Sequence, residues 1–174
     1  RRLVEALLLL ARQDAAGASA PREACDLATI LRETIEQLAP LAQERAIEIR
    51  SDLPATPCRA DPASLAILAT NLVANAIQHH GTSGRIEVSC TPSPRGATFT
   101  VSDDGPGIPA DDLPHIFRRF YRVDKARAGA SGHTGLGLAI AKAIVDNHGG
   151  SIDVRSLIGQ GTQFTVTLPP AARA

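Results

Sequence analysis

Three short groups of residues carry types and spacings that could do chemistry: Asn71-Leu72-Val73-Ala74-Asn75, Asp103-Asp104-Gly105-Pro106-Gly107-Ile108, and Gly132-His133-Thr134-Gly135-Leu136-Gly137-Leu138. A carboxylate ending an apolar strand can take the amino group of adenine. An asparagine on a helix can hold Mg²⁺ through its amide oxygen. A glycine turn that opens a helix can cradle phosphates on free N–H groups. Together the three predict a site for ATP, and core packing gives no reason for them.

Each group has a plainer reading on its own. Asn71 and Asn75 lie four apart, so their amides share a helical face with Gln78 and His79. Asparagine competes with the backbone for hydrogen bonds and is a poor mid-helix residue, so two on one apolar helix need a reason. A buried clamp to a neighbouring loop is the alternative. Asp103 follows an alternating strand and would be sunk at a pocket floor, where an unpaired charge is costly and the amino group of a base would satisfy it. A simple Asp-Gly turn is the alternative there. Gly105 and Gly107 let backbone approach the base, and Pro106 stiffens the turn.

Two other phosphate-binding patterns fail on context. Gly105-Pro106-Gly107 with Ala110, and Asp124 beyond, match a loose dinucleotide fingerprint, but Pro109, Pro114 and the Arg-rich stretch after them replace the helix and strand it requires. Gly132, Gly135 and Gly137 lack the Gly-Lys-Ser/Thr ending of a P-loop. What remains is a glycine-rich hinge running into a helix start, where the dipole attracts phosphate and Thr134 could add a hydroxyl. A purely structural helix start is the alternative.

Between the glycine groups, Phe117-Arg118-Arg119-Phe120-Tyr121-Arg122 holds three of the chain's aromatics and three positive charges. The rings would pin a lid to the body, while Arg122, with Lys125 and Arg127, could neutralise phosphate oxygens. A solvated basic turn suffices for Arg118 and Arg127. His80, His115, His133 and His148 have no metal-ligand spacing, and surface or capping roles are expected of them. Cys25, Cys58 and Cys90 form no CxxC pair, and unpaired thiols in a reducing compartment are expected.

The elements that must position these residues follow from periodicity. Residues 1–15 form an apolar helical face of Leu3, Val4, Leu7, Leu8, Leu10 and Ala11, and the small-residue stretch up to Pro21 reads as a linker. A short strand near Ala24–Leu27 and a helix from Ile30 to about Ala46 come next, then a strand over Ile47–Leu53. Asp61-Pro62 caps and opens the helix that carries the asparagines, with Leu65, Leu68, Leu72, Ala76 and Ile77 on its buried side. Strands at Arg85–Cys90 and Ala97–Ser102 form a hairpin, and Asp103 ends the second. A polar, Gly- and Pro-rich segment over about 104–134 is too long for a plain connector and reads as a lid. A helix from Leu136 to about His148 and two strands, Ser151–Ser156 and Gln163–Leu168, complete a two-layer α/β sandwich.

The 174 residues suffice for one domain with a full core. Lys plus Arg and Asp plus Glu balance at 18 each, which argues against nucleic acid and anionic membrane as partners. The chain holds no methionine and opens mid-helix, so it is expected to be a fragment of a longer protein. Its longest apolar run falls well short of the ~20 residues that span a bilayer.

Five ordered motifs resemble the catalytic ATP-binding domain of two-component sensor histidine kinases, in the superfamily shared with DNA gyrase, MutL and heat-shock chaperone ATPases. They are the asparagine box NLVANAIQHH, the glycine box DDGPGIP, the phenylalanine box HIFRRFYR, the second glycine box GHTGLGLAIAK and the terminal GQGTQFTVTLP. The opening RRLVEALLLLAR resembles the end of the second helix of the dimerisation and phosphoacceptor module. The segment around Phe120 is similar to heavy-metal and envelope-stress sensors.

The resemblance implies a Bergerat-type fold, a mixed five-stranded sheet packed on three helices. It implies three regions: a phosphoacceptor-helix tail with linker over 1–20, the ATP-binding domain over 21–170, and a tail over 171–174. Asn75 would coordinate Mg²⁺ and, with Arg122, serve catalysis. Asp103 would bind the adenine amino group, and Thr162 would border the base. Gly135, Leu136, Gly137 and Leu138 would face the phosphates. Asn71, His79, Gly105, Gly107, Ile108, Phe120 and Thr134 would complete the nucleotide contacts. Hydrolytic members place a water-activating Glu four residues before the metal-binding Asn; here that place is Asn71, which implies transfer to a protein histidine rather than to water. Implied partners are the protein's own upstream dimerisation domain, a second copy of the full-length protein, and a response regulator. The fragment would face the cytoplasm, with the full-length protein in a bacterial inner membrane.

Two features depart from the family pattern. Gln78 stands where relatives often carry a basic residue, and no histidine here has a phosphoacceptor's His-Glu-x-x-x-Pro setting. A nucleotide-sensing module without kinase activity, or an anti-sigma serine kinase, are the alternatives.

Overall fold

The computed structural model describes Val4, Leu7, Leu8, Leu10 and Ala11, and then residues 22–81, 83–94, 96–123 and 134–170. The chain runs β1 (Glu23–Asp26), α1 (Leu27–Glu44), β2 (Ile47–Asp52), β3 (Pro57–Ala60), α2 (Pro62–His79), β4 (Gly84–Ser93), β5 (Gly96–Asp103), a 3-10 turn (Leu113–His115), α3 (Gly137–Asn147), β6 (Ser151–Leu157) and β7 (Gly161–Leu168).

Five strands form one mixed sheet in the order β2-β4-β5-β7-β6, with β2 parallel to β4 and the other pairs antiparallel. The expected fold class is therefore the one observed. Strict alternation explains the layering: Ile86, Val88 and Cys90 of β4, Ala97, Phe99 and Val101 of β5, and Phe164, Val166 and Leu168 of β7 are all buried. Helix α2 lies between α1 and α3. It contributes Leu65, Leu68, Leu72, Val73 and Ile77 to the core. At about 25 cal/mol per Å² of apolar surface, this burial is the main force holding the helices on the sheet.

Local chemistry sets the helix starts. The Asp61 carboxylate accepts from the Ala63 and Ser64 N–H groups, and Pro62 occupies the first turn, as expected. Asp26 caps α1 through Ala28 N–H and also takes the Thr56 N–H at 2.7 Å. That second bond ties α1 to the segment entering β3. The short strand β3 was not expected; it pairs antiparallel with β1, setting Cys25 opposite Cys58.

Two of the histidines expected in surface or capping roles stand at helix C-caps, His80 after α2 and His148 after α3, and both side chains are buried. His148 is 3% exposed; its Nδ1 bonds the Ile144 carbonyl at 2.8 Å, and its Nε2 takes the Asp61 N–H at 3.2 Å. The imidazole thus joins the end of α3 to the cap of α2. The His80 side chain is 5% exposed and lies where α2 meets β4. Of the N-terminal segment, Leu10 is buried while Val4, Leu7 and Leu8 are exposed.

Candidate nucleotide site

Asp103 is the last residue of β5, and the inward alternation of Ala97, Phe99 and Val101 carries its side chain to the sheet's buried face. Burial pushes the Asp103 carboxyl above its ordinary range, while the backbone N–H groups of Gly105 and Thr162 and the nearby His80 pull it back. Gly105 N–H sits 3.0 Å from Asp103 Oδ1. A desolvated acid of this kind gains from a donor arriving with a ligand.

Glycine is required at two of the flanking positions. A Cβ on Gly161 would fall 1.8 Å from the Asp103 carbonyl, and one on Gly107 would fall 2.2 Å from the Leu157 carbonyl. Both residues have positive φ, 99° and 75°. The first glycine loop is therefore laid directly on the β6–β7 turn. Ile108 N–H bonds Ser156 Oγ at 2.8 Å, and the same hydroxyl meets Thr162 Oγ1 at 2.9 Å. Thr162, 7% exposed and paired with Asp103 in the ladder, thus stands beside the acid.

Helix α2 runs between the two glycine boxes. Near its middle, Asn71 Nδ2 donates to the Ile67 carbonyl at 3.0 Å, and a Cβ on Gly137 would lie 3.0 Å from Asn71 Oδ1. Just past its end, His80 Nε2 lies 2.5 Å from Asp104 Oδ1. Nine residues separate these contacts, about 13 Å at 1.5 Å per residue. Asn75 and His79 fall between them, half-buried and exposed respectively. Helix α2 therefore reaches from the Asp103-Asp104 turn to the second glycine box.

At that second box Gly135, with φ 67°, accepts the Phe120 N–H at 2.9 Å. Phe120 itself adopts φ 64° and is 56% exposed, a strained conformation for an aromatic residue. This contact ties Phe120, in the middle of the segment expected to form a lid, to the residue just after its end. Lys125, Arg127, Gly132 and His133 lie outside the described residues. Helix α3 starts after Leu136 with no side-chain cap, leaving first-turn N–H groups for another acceptor. Thr134, just before the helix, and Leu138, in its first turn, are half-buried, as is Arg122. A separate groove of about 410 Å³, lined by Leu10, Phe117, Arg119 and Lys142 among others, includes none of the nucleotide residues.

The family model for histidine kinase-, DNA gyrase B- and HSP90-like ATPases matches residues 60–172, which include every residue of this arrangement. The chain belongs to this family. Within it, the chain is 39% identical over 169 residues to the sensor histidine kinase RppB of a Synechocystis strain, covering 96% of this chain and 37% of RppB. It is 34% identical over 173 residues to the sensor protein SrrB of Staphylococcus aureus, covering 97% of this chain and 29% of SrrB. The chain thus spans about a third of the curated relatives it matches. Among solved structures, full-length ShkA in complex with AMPPNP superposes with a TM-score of 0.85 at 30% identity, over 99% of this chain and 36% of ShkA. The domain is accordingly the ATP-binding catalytic domain of the histidine kinase type.

Sequence reasoning named Asn71 and the Gly137 it lies against, and Asp103 with the Gly105 that bonds it. It missed His80 and Ser156. His80 carries a signal only in hindsight, an imidazole one turn past Ala76 and opposite the acidic pair. Ser156 has none, because its partner Ile108 is 48 residues away.

Proposed function

We propose that this domain holds Mg-ATP and presents the γ-phosphoryl to a histidine on an upstream dimerisation domain of the same protein, from which a response regulator takes it. The observation that carries this reading is the placement of helix α2 between the two glycine boxes, with Asn71 against Gly137 near its middle and His80 on Asp104 just past its end. Asp103 would accept the adenine amino group, with Thr162 and Ile108 bordering the base and His79 against its open side. Gly105 and Gly107 keep the loop backbone close. Asn75 supplies a hard amide oxygen, the ligand type Mg²⁺ takes alongside phosphate oxygens and water. The α3 N–H groups at Gly135, Leu136, Gly137 and Leu138, with Thr134, would receive phosphate oxygens. Arg122 would neutralise charge as the γ-phosphoryl leaves.

Asn71 supports transfer over hydrolysis. An amide cannot take a proton from water, and its Nδ2 already donates to the Ile67 carbonyl. The phosphoryl group therefore waits for a nucleophile brought to it. The exposed Val4, Leu7 and Leu8 on the N-terminal segment suit continuation into a helical bundle, in keeping with a homodimeric full-length protein. No described helix is long and apolar enough to cross a membrane. A bacterial inner-membrane anchor would belong to the rest of the protein, with this domain on the cytoplasmic side.

The test is a longer chain that includes the upstream helices, incubated with γ-labelled ATP and Mg²⁺. A histidine should become labelled, and Asn75→Ala should lose the label while remaining folded. Undiminished labelling in that variant would remove the metal role. The half-buried Gln78 favours a second reading, a nucleotide sensor without transfer. Tight ATP binding with no label on any acceptor would select it.

A further inference from the structure

We propose that His80 is a positioning residue for base selection: its buried imidazole clamps Asp104 and thereby holds the Asp103-Gly105 turn in the form that recognises a 6-amino purine. The inference rests on the adenine role given to Asp103.

The contacts are specific. His80 Nε2 lies 2.5 Å from Asp104 Oδ1, and the same oxygen accepts the Arg85 N–H at 2.7 Å. Asp104 N–H in turn bonds the Arg85 carbonyl at 3.2 Å. These bonds extend the β4–β5 ladder one residue beyond the Ile86–Asp103 pair. The next peptide, Gly105 N–H, then points at Asp103 Oδ1. Releasing Asp104 would free that peptide and let the Asp103 carboxylate rotate away from the base. The two hydrogen bonds, Arg85 first and His80 second, also hold the Asp104 carboxyl below its ordinary range.

The imidazole is not simply filling space. Its Nδ1 is buried with no hydrogen-bond partner, a cost that an aliphatic side chain would avoid. The chain also keeps glycine where the ring sits: a Cβ on Gly84 would fall 1.8 Å from His80 Cε1, and one on Gly105 would fall 3.3 Å from His80 Cα. A strong donor is thus held against the acid that adjoins the base-reading residue.

Inosine triphosphate tests this, because it presents a carbonyl where ATP has the amino group, so selectivity between the two reports on Asp103 and a general loss of stability does not. Calorimetry on the 174-residue chain should show the wild type preferring ATP. His80→Ala should cut that preference about three- to tenfold, the worth of one positioned hydrogen bond, mainly through weaker ATP binding. His80→Gln, which places a donor near the same point, should restore most of it. Asp104→Ala, at a side chain 59% exposed, should reproduce the His80→Ala loss and decides the matter if His80→Ala does not fold. Wild-type selectivity in folded His80→Ala or in Asp104→Ala overturns the positioning role while leaving the ATP site intact. A wild type that binds ATP and inosine triphosphate equally overturns the adenine role of Asp103, and this inference with it.

Discussion

The Asn71 side-chain oxygen crowds the place that a side chain on Gly137 would take, 3.0 Å from where its Cβ would be. This contact keys the asparagine helix to the helix that would receive the phosphates. Gly137→Ala sets two effects against each other. Alanine favours a helix over glycine by up to about 1 kcal/mol, whereas the Asn71 amide must shift by a few tenths of an ångström. Melting temperature should stay near wild type while ATP affinity falls measurably. Calorimetry beside thermal melts checks this, and unchanged affinity would mean that Asn71 takes no part in binding.

Asp103 should trade stability for function. Because burial raises its folded-state value above the unfolded 3.8, its favourable contribution is present below that pH and is lost as pH rises through the folded value. Asp103→Asn should therefore stabilise the ligand-free domain at pH 7 and show no gain near pH 3. The same change should weaken ATP binding about 10- to 150-fold, the range for a hydrogen bond to a charged group. Denaturant titrations at the two pH values, with calorimetry, read both effects.

Asp26 carries the opposite sign. Its carboxyl is lowered by the Thr56 N–H first; burial then pushes it up, and the Thr29 hydroxyl, Ala28 N–H and Arg32 add to the lowering. The stability it gives is present above 3.8 and lost as pH falls through the lower folded value. Asp26→Ala should cost about 1–2 kcal/mol at pH 7, the usual worth of a helix cap, and less at pH 2 to 3. A pH-independent difference in urea midpoints would contradict this account.

The three thiols should react unequally. Cys58 is pushed up to about 12, chiefly by burial and then by the Cys25 sulfur 3.4 Å away, and burial raises Cys90 as well. The thiolate is the reactive form, so native-state alkylation at pH 8 should label Cys25, the half-buried one, well ahead of the others. Peptide mass spectrometry after timed quenching measures the order, and equal labelling would show that β1 and β3 separate readily.

Much of the site was legible because its signals are local. Asp61-Pro62 announces α2, asparagines four apart must share its face, and alternation through Ala97, Phe99 and Val101 dictates which way Asp103 points. Strand β3 was not legible. It has four residues, opens on Pro57 three positions after Pro54, and exists because β1, more than thirty positions earlier, pairs with it. The start of α1 was hidden for the same reason, since the Asp26 carboxylate is held partly by Thr56 thirty residues on.

By itself the sequence determined most of the parts: which segments apart from β3 and the first turn of α1 are helix or strand, which face of each is apolar, and which groups could hold base, metal and phosphate. Those properties follow from side-chain period and from caps within a few residues. Only the tertiary structure decided the meetings: Asn71 against Gly137, Gly161 against Asp103, and His80 buried beneath Asp104 rather than at the surface. Such contacts arise from closing a sheet in the order β2-β4-β5-β7-β6 over one core, where a residue's neighbours are set by packing across long sequence separations.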